Sequence, residues 1–324
     1  MSMIRSFSVD EGDMFYIQHG NDNFTIIDCC MSEADRDFLV EQLKSASKDK
    51  SIVRFISTHP DDDHILGLSF LHEKMNIRNF YCVKNEATKP DWTVDFDQYC
   101  SLRDDSAKVF YLSRGCSRKW INQGDEERGG SGIHILWPIV TNEHYKEALK
   151  QAKQGESPNN ISPIVRYMLK DGAAVLWMGD LEDDFMENIK DAFTMERADI
   201  LFAPHHGRDS GKVPEDWLAS INPGIIIIGE APSKDLNYYD GYNTITQNSA
   251  GDIILQCESG KTHIWVSNWG YSVDYLYNEH LADTNWNYIG TCVTGKRTQI
   301  TSACTRSPKK PAPGDARVRP HRSQ

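Results

Sequence analysis

Short hydrophobic runs separated by polar turns and by stretches of helical spacing organise the first part of the chain. Residues 14–18 and 24–28 are apolar runs that flank the turn-forming residues 20–23, which predicts a β-hairpin. Apolar residues recur at three- and four-residue intervals over 33–45 and again over 65–75, which predicts two helices. The chain therefore opens as a mixture of strands and helices.

The same alternation continues further along the chain. A helix is predicted over 181–193, and strands are predicted over 52–56, 133–137, 164–169, 173–178, 199–203, 224–229, 252–256 and 262–267. Strands outnumber helices and occur both in hairpins and in strand–helix units. This pattern predicts a mixed α/β fold built in layers.

Composition limits the classes of protein to consider. With 324 residues, of which 39% are hydrophobic, the chain can bury the core of one large domain or two smaller ones. It has no apolar run of about 18 residues and no signal-peptide pattern at its start, so we expect a cytoplasmic protein without a membrane partner. The eight cysteines are scattered without a C-x-x-C pair, and we expect them to be reduced.

Charge is distributed unevenly along the chain, whose net charge is −12. Residues 296–324 contain eight Lys or Arg against a single acid, Asp315, and are rich in proline. We expect one domain over 1–295 and a basic disordered tail over 296–324, either a solvated end or an arm for an anionic partner. The acidic body does not suit a protein that grips long nucleic acid by its backbone.

The segment Thr58-His59-Pro60-Asp61-Asp62-Asp63-His64 directly follows a predicted strand. Charged groups at this density are buried only when paired or bound to metal. An extended turn with alternating side chains would direct His59 and Asp61 to one ion and Asp63 and His64 to a second, and would point Asp62 away. The alternative is an acidic loop in which one Asp caps the next helix.

Two further clusters of the same kind end predicted strands. Asp180 follows the apolar run 174–178 and is placed to bridge two cations, although alone it would suit an ordinary helix start. His205 and His206 end the strand over 199–203, where they are either ligands or surface residues. Imidazole and carboxylate together suit zinc, manganese or iron rather than calcium.

In this order the three clusters resemble the metallo-β-lactamase fold superfamily, and within it the ComEC-type competence branch. That branch has Asp in place of the second His of the superfamily motif, as His59-Pro-Asp61-Asp-Asp63-His64 does. Gly179-Asp180 and Pro204-His205-His206-Gly207 also match. The resemblance covers roughly residues 5–270 and implies an αββα sandwich.

The resemblance also implies a set of site residues. The metal ligands would be His59, Asp61, Asp63, His64, Asp180, His205 and His206, with Asp63, Asp180 and His206 taking part in catalysis. The superfamily usually has one more His ligand before Asp180, where this chain has Asn159-Asn160-Ile-Ser162. Asn160 is therefore the substitute to consider, ahead of His134 and His144. Arg208 stands where the family often has Ser.

The implied function is that of a metal-dependent hydrolase that uses two divalent ions, Zn or Mn, to activate water. A phosphodiesterase or nuclease acting on a nucleotide or nucleic acid is expected. The alternatives are a lactamase-like hydrolase of carbon esters, amides or thioesters, and a binding module without turnover. Residues 103–132 lack clear periodicity and are expected to form a surface insertion that offers cations to a phosphate; these cations are Arg114, Arg118, Lys119 and Arg128.

Overall fold

The apolar runs form strands of two β-sheets within residues 1–295, which are the residues that the computed structural model describes. The predicted tail over 296–324 lies outside the described residues. The strands are β1 (Ser2–Ser6), β2 (Phe15–Gln18), β3 (Asn23–Ile27), β4 (Ile52–Ile56), β5 (Phe80–Val83), β6 (Val109–Leu112), β7 (Ile133–Trp137), β8 (Ile164–Met168), β9 (Ala174–Trp177), β10 (Ile200–Phe202), β11 (Ile225–Ile228), β12 (Thr244–Thr246), β13 (Ile253–Glu258), β14 (Lys261–Val266) and β15 (Asn287–Val293).

Polar residues or glycines flank most of the helices. They are α1 (Arg36–Ala46), α2 (Asp62–Ile65), α3 (Leu68–Met75), α4 (Val94–Asp104), α5 (Glu143–Lys153), α6 (Asp183–Ile189), α7 (Glu215–Ile221) and α8 (Gln247–Ala250). Thr93 and Asn142 cap α4 and α5, because their side-chain oxygens accept backbone N–H bonds from Phe96 and Tyr145. The helix predicted over 65–75 is divided into α2 and α3 by Gly67, whose φ is +83°.

The two sheets differ in strand direction. The first has the order β15-β14-β13-β1-β2-β3-β4-β5-β6, and the second has the order β12-β11-β10-β9-β8-β7. Strands β3 to β6 run parallel to one another, as do β9 to β12, and the remaining neighbours are antiparallel. The hairpin predicted around residues 20–23 is confirmed as β2 and β3, with Gln18 opposite Phe24.

Alternating side chains of β3 show how the layers form. Ile27 packs between the two sheets, whereas Phe24 and Ile26 pack on the other face against α1, α3 and α4. Helices α5, α6 and α7 cover the outer face of the second sheet. Strand β11 is buried on both faces and is four consecutive isoleucines. The mixed α/β, αββα sandwich that was predicted is therefore confirmed.

Residues 103–132 are more integrated into the fold than a surface insertion would be. They include the end of α4 and all of β6, the edge strand that pairs with β5. Ile121 is fully buried, and the Arg118 guanidinium lies 5.2 Å and 5.0 Å from the ring centroids of Tyr81 and Phe110. Arg118 therefore packs against aromatic side chains of β5 and β6.

No helix in residues 1–295 has the length and apolar character needed to cross a membrane.

The buried Arg54 of β4 attaches this segment to the sheet. Its guanidinium donates to Thr25 Oγ1 at 3.1 Å, to Asn23 Oδ1 at 2.6 Å and to the Trp120 carbonyl at 2.8 Å. Burial lowers the pKa of Arg54, yet these oxygens satisfy the charge it keeps. The residue is 1% exposed, so water cannot replace it.

Replacing this guanidinium should destabilise the fold. Arg54→Met leaves buried oxygens without donors and should lower the free energy of unfolding by about 2–4 kcal/mol. Urea unfolding followed by circular dichroism measures the loss. Lys48→Met, at an exposed position, is the control and should change stability by less than about 0.5 kcal/mol. Equal effects of the two substitutions would contradict the structural role of Arg54.

Candidate metal centre

The first motif leaves β4 and enters α2 through a cap. Asp61 is the N-cap of α2, and its side chain accepts the backbone N–H of Asp62 at 3.1 Å. Asp62, Asp63 and His64 then lie in one helical turn, so the extended alternation predicted for residues 59–63 is wrong beyond Asp61. The helical turn still separates Asp62 from Asp63, which lies among the other site residues.

The carboxylate of Asp28 orients the imidazole ring of His64. Its Nδ1 lies 3.0 Å from Asp28 Oδ2, and Asp28 also accepts the backbone N–H and the hydroxyl of Thr58 at 2.7 Å and 2.6 Å. Burial alone would lower the pKa of His64, but the carboxylates of Asp180 and Asp28 raise it well above its ordinary value. The Nε2 atom is thereby turned toward Asp180, 3.0 Å from its Oδ1.

His59 also directs its Nε2 atom toward the cluster, from another side than His64. Its Nδ1 lies 3.1 Å from Thr58 Oγ1 and 3.2 Å from Ser162 Oγ. Its Nε2 is buried and has no hydrogen-bond partner among the described residues. Burial, reinforced by His64, lowers the pKa of His59 to about 3. A neutral imidazole with a free inward nitrogen is the state in which histidine binds a metal.

Asp180 lies at the centre of the cluster, just beyond the end of β9. Its Oδ1 faces His64, and its Oδ2 lies 3.4 Å from His206 Nε2 and 3.8 Å from His205 Nε2. Burial alone would raise the pKa of Asp180, but His64 and His206 hold it well below its ordinary value. The carboxylate is ionised and faces histidines on both sides.

His206 follows β10 and completes the cluster. Its Nε2 lies 3.2 Å from Asp63 Oδ2, and its Nδ1 lies 3.3 Å from Asp13 Oδ1. Burial would raise the pKa of Asp63, yet the bond from His206 helps to lower it to about 2. Asp63 is therefore a carboxylate at neutral pH.

Asp13 and Asp28 were not predicted as site residues. Asp13 is brought in by a close approach of two segments, since its N–H donates to the Asp63 carbonyl at 3.1 Å. A Cβ on Gly12 would lie 2.7 Å from that same carbonyl oxygen, so only glycine fits there. The sequence did contain an indication of both residues, because Gly12-Asp13 precedes the predicted hairpin and Asp28 ends its second strand.

Two of the predicted ligands, Asp61 and His205, have other contacts in the structure, as does the predicted substitute Asn160. Asp61 and Asp62 pair with Lys89 Nζ at 3.2 Å and 2.6 Å. His205 Nδ1 lies 3.0 Å from Ser210 Oγ, and its Nε2 is at the edge of the cluster.

The amide of Asn160 bonds at both ends to Glu182, with distances of 2.7 Å and 3.1 Å. It is Ser162 from that segment that reaches His59. The metal-binding roles of Asp61, His205 and Asn160 remain predictions.

The side chains that could bind a metal form two overlapping groups. Within each group, the ligand atoms lie within 4.8 Å of one another. One group is Asp13, His64, Asp180 and His206, and the other is His59, Asp63 and His64. His64 Nε2 and Asp180 Oδ1 are 3.0 Å apart but are not aligned as donor and acceptor, and each is buried without a hydrogen-bond partner among the described residues. Such orphaned atoms converging on one point fit a divalent cation.

The two sheets and their outer helices form a metallo-β-lactamase-like αββα sandwich, and the chain resembles the competence branch of that superfamily. Its sequence is similar to ComE operon protein 3 of Bacillus subtilis, with 23% identity over 199 residues. The match covers 61% of this chain but only 22% of that protein. No protein-family model matches the chain.

Solved structures similar to this chain include the metallo-beta-lactamase fold protein YhfI from Bacillus subtilis, with a TM-score of 0.40 and 12% identity over 76% of this chain and 95% of that chain. A diphosphatase from the PhnP family has a TM-score of 0.38 and 13% identity over 76% of this chain and 94% of that chain. Likeness at this level says nothing about activity or substrate.

If this donor set binds cations, the metal content of the purified protein should depend on its residues. Protein purified without chelator should contain between about one and two transition-metal ions per chain by elemental analysis. Asp180→Ala removes the central carboxylate and should lower that content by about half or more. Asp184→Ala, at an exposed position four residues away, is the control and should retain the wild-type content. A wild-type content below about 0.2 ions, with no uptake of added zinc or manganese, would show that the cluster is not a metal centre.

Proposed function

We propose that this chain is a metal-dependent hydrolase that cleaves phosphodiester bonds with a water activated by two divalent cations, zinc or manganese. The observation that carries the proposal is the convergence of His59 Nε2, His64 Nε2 and Asp180 Oδ1 in a buried carboxylate cluster, where none of the three has a hydrogen-bond partner of good geometry among residues 1–295. The resemblance of the motifs to the competence branch favours a phosphodiester as substrate. Two cations at about 4 Å lower the pKa of a shared water and stabilise charge on the attacking and leaving oxygens.

The residues of the chain have separate tasks in this proposal. Asp180 would hold both cations, because its two oxygens face different histidines. His59 and His64 would be ligands with fixed ring orientation, and Asp63 would hold a cation together with them. Asp28 and Asp13 are positioning residues that hold the Nδ1 atoms of His64 and His206.

Exposure indicates the side from which substrate approaches. The side chains of His64 and Asp180 are almost fully buried, whereas that of Asp63 is 34% exposed. The cluster is thus open on the Asp63 side and closed behind His64. An acidic body around such an opening favours a nucleotide or a locally docked stretch of nucleic acid over a long duplex.

Two model substrates test the proposal directly. Purified protein with zinc or manganese should hydrolyse bis-p-nitrophenyl phosphate and leave a nitrocefin-like lactam largely intact, as followed by absorbance. Chelation should abolish the reaction, and added metal should restore it. Turnover of the lactam alone would favour the lactamase-like alternative. Metal binding without turnover of either would favour a binding module.

Substitution of two neighbouring aspartates, Asp63 and Asp62, compares a predicted metal ligand with a surface acid. Asp63→Ala should lower kcat for bis-p-nitrophenyl phosphate by about a hundredfold or more, because a cation loses its carboxylate. Asp62→Ala is the matched control and should stay within about tenfold of wild type, since its side chain is 55% exposed and contacts Lys89. Circular dichroism should show both variants folded. Full activity of the Asp63 variant, or equal losses in both, would refute the assignment.

A further inference from the structure

Arg208 lies two residues beyond His206 at the open rim of the cluster. Its backbone forms an isolated antiparallel bridge with Leu236, and the preceding carbonyl of Gly207 accepts the N–H of Asn237 at 2.8 Å. The backbone that carries the guanidinium is therefore tied to a second segment. Its side chain is 29% exposed, between the buried ligands and the solvent.

The guanidinium of Arg208 uses only part of its donor edge. Nη2 donates to Glu11 Oε2 at 3.2 Å, and the buried Nε has no hydrogen-bond partner in residues 1–295. The N–H bonds of Nε and Nη2 lie on the same edge of the planar group, and this edge forms two parallel bonds with a carboxylate or phosphate. One of those two donor positions, Nε, has no acceptor among the described residues.

The partner of Arg208 is weakly held. The Glu11 side chain is 57% exposed, and the contact is longer than the 2.7–2.9 Å typical of a strong charge-assisted bond. Exposed pairs of this kind contribute little to stability. Glu11 also precedes Asp13 by two residues, so the pair lies beside the contact of Asp13 with His206. An anion bound at the cluster would meet Arg208 in competition with Glu11.

Other cations near the first motif are less suited to this task. Lys89 contacts Asp61 and Asp62 at once and is only 13% exposed. Arg128, from the segment predicted to supply cations, pairs with Asp22 at 2.9 Å, and Arg118 lies over aromatic rings. Arg208 follows a ligand histidine by two residues and has a donor, Nε, without an acceptor among the described residues.

We propose that Arg208 determines specificity for substrates with a phosphate group, by binding two non-bridging phosphate oxygens through Nε and Nη2 in place of Glu11. The inference rests on the proposed function, because it assigns a substrate-binding residue to the same site. Glu11 is then the resting partner of the arginine and competes with the substrate.

Binding of inorganic phosphate to the zinc-loaded full chain tests this assignment by calorimetry, alongside KM and kcat for bis-p-nitrophenyl phosphate. Arg208→Ser should raise the Kd for phosphate about tenfold or more and should raise KM more than it lowers kcat. Arg208→Lys keeps the charge without the two-donor edge and should give a smaller rise. Glu11→Gln should lower the Kd about two- to fivefold, because the competing charge is removed.

Lys212→Ser, an exposed cation on the same loop, is the matched control and should leave the Kd unchanged. An unchanged Kd in Arg208→Ser, or no tighter binding in Glu11→Gln, would overturn the assignment even if the wild type hydrolyses the diester. The expected Kd changes without any diester hydrolysis would support anion binding by Arg208 and refute the proposed reaction. The two proposals can thus fail separately.

Discussion

The buried carboxylate of Asp180 is the constraint on which the rest of the site depends. It is 2% exposed and lies between His64 and His206, at 3.0 Å and 3.4 Å. Removing an ionised carboxylate from water costs several kcal/mol unless opposite charge compensates it. Protonated histidines supply that compensation in the chain alone, and a divalent cation would supply it with the histidines neutral. The surrounding structure must therefore keep both imidazoles aimed inward.

Each imidazole is held by its outer nitrogen, which leaves the inner nitrogen for the centre. Asp28 holds His64, Ser162 and Thr58 hold His59, and Asp13 holds His206. These holding groups come from different segments, and the contacts of Ser162 with His59 and of Asp13 with His206 cross between the two sheets. The geometry of the centre is consequently a property of how the sheets pack, and small shifts between them would separate the donors.

Three aromatic rings of the core lie on strands whose ends carry site residues. Phe15, Trp177 and Phe202 belong to β2, β9 and β10, and their ring centroids are 4.9 Å to 6.1 Å apart. Asp13 precedes the first ring by two residues, and Asp180 follows the second by three. Because these rings pack in edge and stacked contacts between the sheets, they fix the spacing of the strand ends that carry the acids.

The sequence alone determined the α/β class, the positions of most strands along the chain and five donors that the structure brings together. It could do so because the period of hydrophobic residues and the chemistry of ligands are local properties of a chain. These donors are His59, Asp63, His64, Asp180 and His206. Tertiary structure alone decided that Asp13 and Asp28 hold histidines, since they meet them across 193 and 36 residues of chain. It also paired Asp61 with Lys89, bonded Asn160 to Glu182, and placed β6 at the edge of the first sheet, because competing partners for a side chain are visible only once distant segments are packed together.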